Sequence, residues 1–172
     1  AKPMSKERTQ EHGIGYVLPV KGTWIIEVFR AQSDGSYVAE PKRYQPNLWP
    51  SAGSGFLANR IGVVPTNSAM AYMAVGTVST AAAVGNTTVT GEVGRKAFAV
   101  NNVISTNVWQ VVNTWGGGAD SVASVSLVEA GTFNAAGSAA GTMANRVTFA
   151  AVVLANSDFL NLTLLTEVGT RS

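Results

Sequence analysis

The chain has 172 residues, of which 46% are hydrophobic and 13% charged, with a formal net charge of +2, one histidine and no cysteine. A chain of this length forms one domain, or one domain with an arm, and buries enough surface to need no covalent staple. The absence of cysteine excludes disulfides, thiolate metal sites and a cysteine nucleophile.

Residues 1–20 read as an extended N-terminal arm, and residues 21–172 as the body. The arm is charged, and Pro3, Gly13, Gly15 and Pro19 interrupt any helix. Ile14, Tyr16, Val17 and Leu18 give it apolar groups with which to bind a neighbour. No apolar core of a signal peptide follows residues 1–11, and the longest apolar run, 149–155, is too short to span a bilayer. The expectation is a protein that folds and assembles in a cytoplasm.

Residues 22–30 predict a strand, with Trp24, Ile26 and Val28 on one face and Thr23, Ile25 and Glu27 on the other. Ser33-Asp34-Gly35-Ser36 is a turn signal, and Tyr37 and Val38 begin the return strand. Residues 41–50 read as irregular and 52–61 as a short helix or turn. A buried strand is expected over 69–75, a polar loop over 77–91, and a short helix or edge strand over 89–96. Residues 96–103 and 107–115 form a candidate strand pair, followed by the flexible turn Gly116-Gly117-Gly118. A strand at 122–129 precedes a Gly/Ala-rich loop at 131–141. Met143, Val147, Phe149, Ala151 and Val153 then share one face of a strand, and Leu160, Leu162, Leu164 and Val168 one face of the last. Strands at this spacing without long helical patterns predict an all-β fold, a β-sandwich or jelly-roll-like body.

The chemistry expected of this chain is sparse. His12 lies in the arm, where no general base can be held against a substrate. The acids of the main body, Glu92, Asp120, Glu129, Asp158 and Glu167, are scattered, and Glu129 is expected to pair with Arg95, Lys96 or Arg146 and so fix a loop. No metal-ligand spacing and no phosphate-binding glycine loop is present. Gly53-Ser54-Gly55, like the three glycines at 116–118, reads as a turn. Lys2, Lys6 and Arg8 are interleaved with Glu7 and Glu11, too weak a cationic cluster for nucleic acid. No catalytic residue, cofactor or metal is therefore assigned. Trp49, Trp109 and Trp115 are candidate interface aromatics, with core packing the default for Trp109 and Trp115.

Charge is distributed unevenly. Residues 1–43 hold 12 of the 22 charged residues, and 44–172 hold ten. A free globular chain carries about a quarter charged residues. A body this poor in charge offers little to desolvate or repel, which suits a surface covered by other subunits.

Several segments together carry a family resemblance. They are Asn47-Leu48-Trp49-Pro50-Ser51-Ala52-Gly53 with Phe56-Leu57-Ala58, and Tyr72-Met73-Ala74-Val75-Gly76-Thr77 with Gly91-Glu92-Val93-Gly94-Arg95-Lys96-Ala97. To these are added Glu129-Ala130-Gly131-Thr132-Phe133-Asn134-Ala135-Ala136, Gly141-Thr142-Met143-Ala144-Asn145-Arg146-Val147-Thr148-Phe149 and Asp158-Phe159-Leu160-Asn161-Leu162-Thr163. Over residues 44–168 the chain resembles a group of small structural virion proteins of tailed double-stranded DNA bacteriophages. The resemblance implies a β-sandwich virion protein without catalytic residues. The expected role is head decoration, or cement, on the outside of the major capsid protein shell. The expected partners are that capsid protein and copies of the chain itself, as dimer or trimer, with neither nucleic acid nor membrane. The alternative is a tail, baseplate or fibre component whose partners are tail proteins.

Overall fold

The structure is a computed structural model that describes residues 20–62 and 65–169. The arm residues Ile14, Tyr16, Val17 and Leu18, and His12, lie outside the described residues. The elements in chain order are β1 (Val20–Ala31), β2 (Tyr37–Ala39), β3 (Arg43–Pro46), α1 (Ser51–Ile61), β4 (Tyr72–Gly76), β5 (Glu92–Ala97), β6 (Val100–Ser105), β7 (Val108–Gly116), β8 (Ser126–Phe133), β9 (Met143–Val153) and β10 (Phe159–Val168).

The fold is all-β, in two antiparallel sheets. The larger runs β2-β1-β10-β7-β6, with β3 beside β2 along the same edge of β1, and the smaller runs β5-β4-β8-β9. β1 and β10 pair from Val20↔Val168 to Phe29↔Phe159, so the two ends of the described chain lie side by side. The first hairpin follows its turn signal. Asp34 accepts from the Ser36 backbone N–H and hydroxyl, and Gly35 takes φ 83°, where a side chain would be strained.

One apolar cluster joins the two sheets. Trp24, Ile26, Val28, Val111, Trp115, Leu160, Leu162 and Leu164 from the larger sheet meet Met73, Val75, Leu127, Ala130, Val147 and Phe149 from the smaller. The alternation expected in β1 and β10 is thus the inward face of each strand. Sheets that share a core in this way form a sandwich. The smaller sheet is covered on its outer side as well, where Ala74, Val89, Phe133 and Met143 make a second cluster.

Several expectations are corrected. Residues 41–50 contain strand β3, a short edge strand that ends at Pro46, where a missing N–H costs no ladder bond. Gly53-Ser54-Gly55 lies inside α1 and is not a turn. Residues 96–103 are not one strand. Phe98 N–H donates to Ala71 in the smaller sheet and Ala99 N–H to Val112 in the larger, so the chain changes sheets between them. The Asn113 side chain, buried at this crossing, accepts from Ala99 N–H and donates to Lys96 C=O. Strand β8 continues through Phe133, into the stretch expected to be loop. The glycines at 116–118 are a pinned turn rather than a flexible one. Gly117 and Gly118 N–H donate to Asp158 and Asn156, and a Cβ on Gly117 would lie 2.0 Å from the Ala155 carbonyl oxygen.

The face expected in β9 breaks partway. Val147 and Phe149 face the core between the sheets, but Met143 belongs to the outer cluster, beyond a register shift between Thr132 and Phe133, and Ala151 and Val153 are exposed, with Val152 and Leu154 buried in their place. A register shift between Leu127 and Glu129 lies opposite this point, and such an irregularity reverses which alternate residues face inward.

Candidate partner-binding surface

Most charged residues of the body are held in ion pairs, while Lys21, Asp34, Lys42 and Arg60 are exposed. Arg146 and Glu129 are fully buried and 2.7 Å apart. Arg146 Nε donates to Glu129 Oε2, Nη1 to Asn86 Oδ1 and Nη2 to the Thr80 carbonyl, while Glu129 Oε1 accepts from Val78 N–H. The pair therefore ties the polar loop 77–88 onto the outer face of the smaller sheet, in the role expected of Glu129. Arg95 repeats the device nearby. It pairs with Glu92 at 2.7 Å, lies 3.6 Å from the Phe133 ring centre, and donates to the Ala135 and Ala140 carbonyls of loop 134–142.

Other cations close edges and turns. Lys96 pairs with Asp120, donates to the Thr114 carbonyl and lies over the Trp115 ring. Arg43 and Arg30 donate to the Ala150 and Val153 carbonyls of β9, which covers part of that edge. Arg30 also pairs with Glu40 and Asp158. Asp158 accepts from Arg30, Ala31 N–H and Ala155 N–H, so the β9–β10 turn is tied to β1. Burial pushes the Asp158 carboxyl up. The Ala155 N–H, the Arg30 guanidinium and the Ala31 N–H outweigh it and hold the group below 3.8. The Arg30 pKa is raised, chiefly by its hydrogen bond to Asp158.

Over residues 44–169 the outside is nearly uncharged. Of the charged residues between 44 and 169, only Arg60 is exposed, and the rest are buried or half-buried. Among the described residues no group of three His, Cys, Asp or Glu side chains is placed to hold a metal ion, and no helix is long and apolar enough to cross a membrane.

The three tryptophans separate. Trp115 is 2% exposed, in the core between the sheets. Trp109 packs edge-on to Phe98 and donates from Nε1 to Asn101 Oδ1. Trp49 and Trp109 are half-buried and line one apolar groove of about 320 Å³ at the end of the sandwich. Its walls are Phe56, Leu57 and Arg60 of α1 on one side and Val20, Val103, Thr166 and Val168 of the larger sheet on the other. A second hollow of about 430 Å³ adjoins it and shares Val20, Trp49 and Leu57. Trp49 and Trp109 are legible in the sequence as interface aromatics, whereas the part α1 plays beside them is not. That helix is a weak one by propensity, with Gly53, Ser54 and Gly55 in its first half, and its place is decided by contact. A Cβ on Gly53 would lie 1.9 Å from the Ala144 carbonyl oxygen, so only glycine lets α1 lie against β9. Phe56 then anchors it to Met70 and Ala144.

Two further apolar features face solvent. Val103 and Ile104 of the edge strand β6 are 73% and 51% exposed, and Tyr37, Val38 and Tyr44 stand out on β2 and β3 at the opposite edge. No protein-family model matches this chain, and no curated protein or solved structure matches it either.

Proposed function

We propose that the chain is a non-catalytic virion structural protein of a tailed bacteriophage, a decoration or cement protein that lies on the outside of the major capsid protein shell. The observation that carries this reading is the surface of residues 44–169, which keeps its ionised groups within its own loops and presents small polar and apolar side chains outward. Such a surface is cheap to cover, since little charge has to be desolvated. The open edge of β6 adds unpaired backbone groups beside Val103 and Ile104, a place where a neighbouring chain can add a strand. The engagement of Glu92, Asp120, Glu129 and Asp158 in ion pairs supports a role in holding shape rather than in chemistry. In the cement role, residues 1–20 tether the body to the shell, and repeated contacts across an oligomer slow its release.

The test is binding to emptied shells. The full chain is expected to saturate shells assembled from the major capsid protein and to raise their resistance to heat. A version without residues 1–20 is expected to bind at least tenfold more weakly, roughly the loss of 1.4 kcal/mol or more. A copy number in purified virions that follows the shell lattice supports decoration. A low copy number that follows the symmetry of the tail rejects it in favour of a tail, baseplate or fibre part.

A further inference from the structure

The groove between α1 and the end of the larger sheet lies where the described chain begins. Val20, the first residue of β1, lines both it and the adjoining hollow. In β1 the inward residues are Trp24, Ile26 and Val28, and Val20 has their parity. In the sequence Leu18, Tyr16 and Ile14 have this same parity, and Gly15, Val17 and Pro19 the other. The parity of Val20 is thus shared by the largest apolar residues upstream of it. Leu18 is two residues from Val20, within about 7 Å of it.

We propose that residues 14–18 of the same chain lie across this groove, seating Leu18 and Tyr16 between α1 and the β10 end of the sheet. The groove is lined almost wholly by apolar side chains and opens beside Val20, where the described chain begins, which suits the apolar side chains of the segment joined to it. Linkage favours the chain's own segment over that of a second copy. A tether of one or two residues gives an effective concentration in the millimolar range, above ordinary protein concentrations.

The chain has no cysteine, so a pair can be introduced without side reactions. Leu18→Cys is combined with Ala58→Cys or with Arg60→Cys, both exposed positions on the groove side of α1. Mild oxidation of the dilute full-length protein is expected to give a monomeric, internally crosslinked product with at least one of the two pairs. Leu18→Cys with Ser36→Cys, at the far end of β1, is expected to give none. A disulfide-linked dimer in place of the monomeric product overturns the proposal in favour of a second copy, and no crosslink with either pair overturns it outright. In a second measurement, Leu18→Asp is expected to shift tryptophan emission to longer wavelength as Trp49 and Trp109 gain water. Unchanged emission counts against the seated segment. The inference stands apart from the virion role. A crosslink in a protein that binds no shells even after reduction rejects only decoration, and shell binding without a crosslink rejects only the seated segment.

Discussion

Arg146 is the residue on which most of the local order converges. Its guanidinium, itself fully buried with Glu129, also meets the half-buried Asn86 and the Thr80 carbonyl. Removing one member of a buried pair leaves the other charge without compensation, at a cost of about 3–5 kcal/mol. Arg146→Met is therefore expected to lower the urea midpoint sharply. Glu129→Leu combined with Arg146→Met is expected to recover most of the loss, yet to leave amides of loop 77–88 exchanging faster with deuterium. A double variant as unstable as the single one would show that the loop, rather than the charge, was the greater loss. Asp158 gives a pH signature. Its carboxyl is held below 3.8 in the folded chain, so the unfolded chain binds the proton first as pH falls. The contribution of Asp158 is complete above that value and is lost as pH drops through the folded-state pKa. Comparing urea midpoints at about pH 6 and about pH 3, the native protein should lose more stability than Asp158→Asn, which has no such proton to take up. Equal losses would rule out this linkage.

At the scale of elements, α1 shows contact overriding propensity. Its three-residue run of Gly, Ser and Gly favours a turn, and the readable part of the signal was only that a short helix or turn occupied 52–61. The helix forms because Gly53 fits against the Ala144 carbonyl and Phe56 reaches the cluster with Met70. Gly53→Val should overpack this contact, cost about 1–3 kcal/mol, and shift the emission of Trp49 by moving the groove wall. A variant with native stability and emission would mean that α1 is not held at this point. Strand β9 makes the complementary case. Its inner face was legible at Val147 and Phe149, and the outward placing of Met143 and the exposure of Ala151 and Val153 were not, because the shifts of register come from pairing with β8 and leave no local mark. The first hairpin, in contrast, was legible throughout, since Asp34 and Gly35 set the turn from within four residues.

For the whole molecule the governing property is where its charge is spent. Ion pairs that fasten loops 77–88 and 134–142 leave Arg60 as the exposed charge between 44 and 169. A partner that covers the surface of residues 44–169 should feel little salt dependence, since screening acts on exposed charges. Shell binding is expected to change by less than about threefold between low and physiological salt, measured by co-sedimentation. A steep fall would indicate that the charged N-terminal region makes the main contact. The arm also links the two proposals. A segment seated in its own groove has to leave it before it can tether a shell, so the oxidised Leu18→Cys/Ala58→Cys protein should fail to bind shells until reduced. Undiminished binding of the crosslinked form would separate the tether from residues 14–18.

By itself the sequence determined the class of the fold, the inward faces of β1 and β10, the first hairpin and the structural use of Glu129. Each depends on alternation, on a turn residue or on the scarcity of buried charge, all of which are local or compositional. Tertiary structure alone decided the rest: the change of sheet at Phe98–Ala99, the break in β9, the choice of Arg146 as partner of Glu129, and the groove that Trp49 and Trp109 share with α1. These depend on contacts between segments far apart in the chain, and such contacts are fixed only when the two sheets close on a common core.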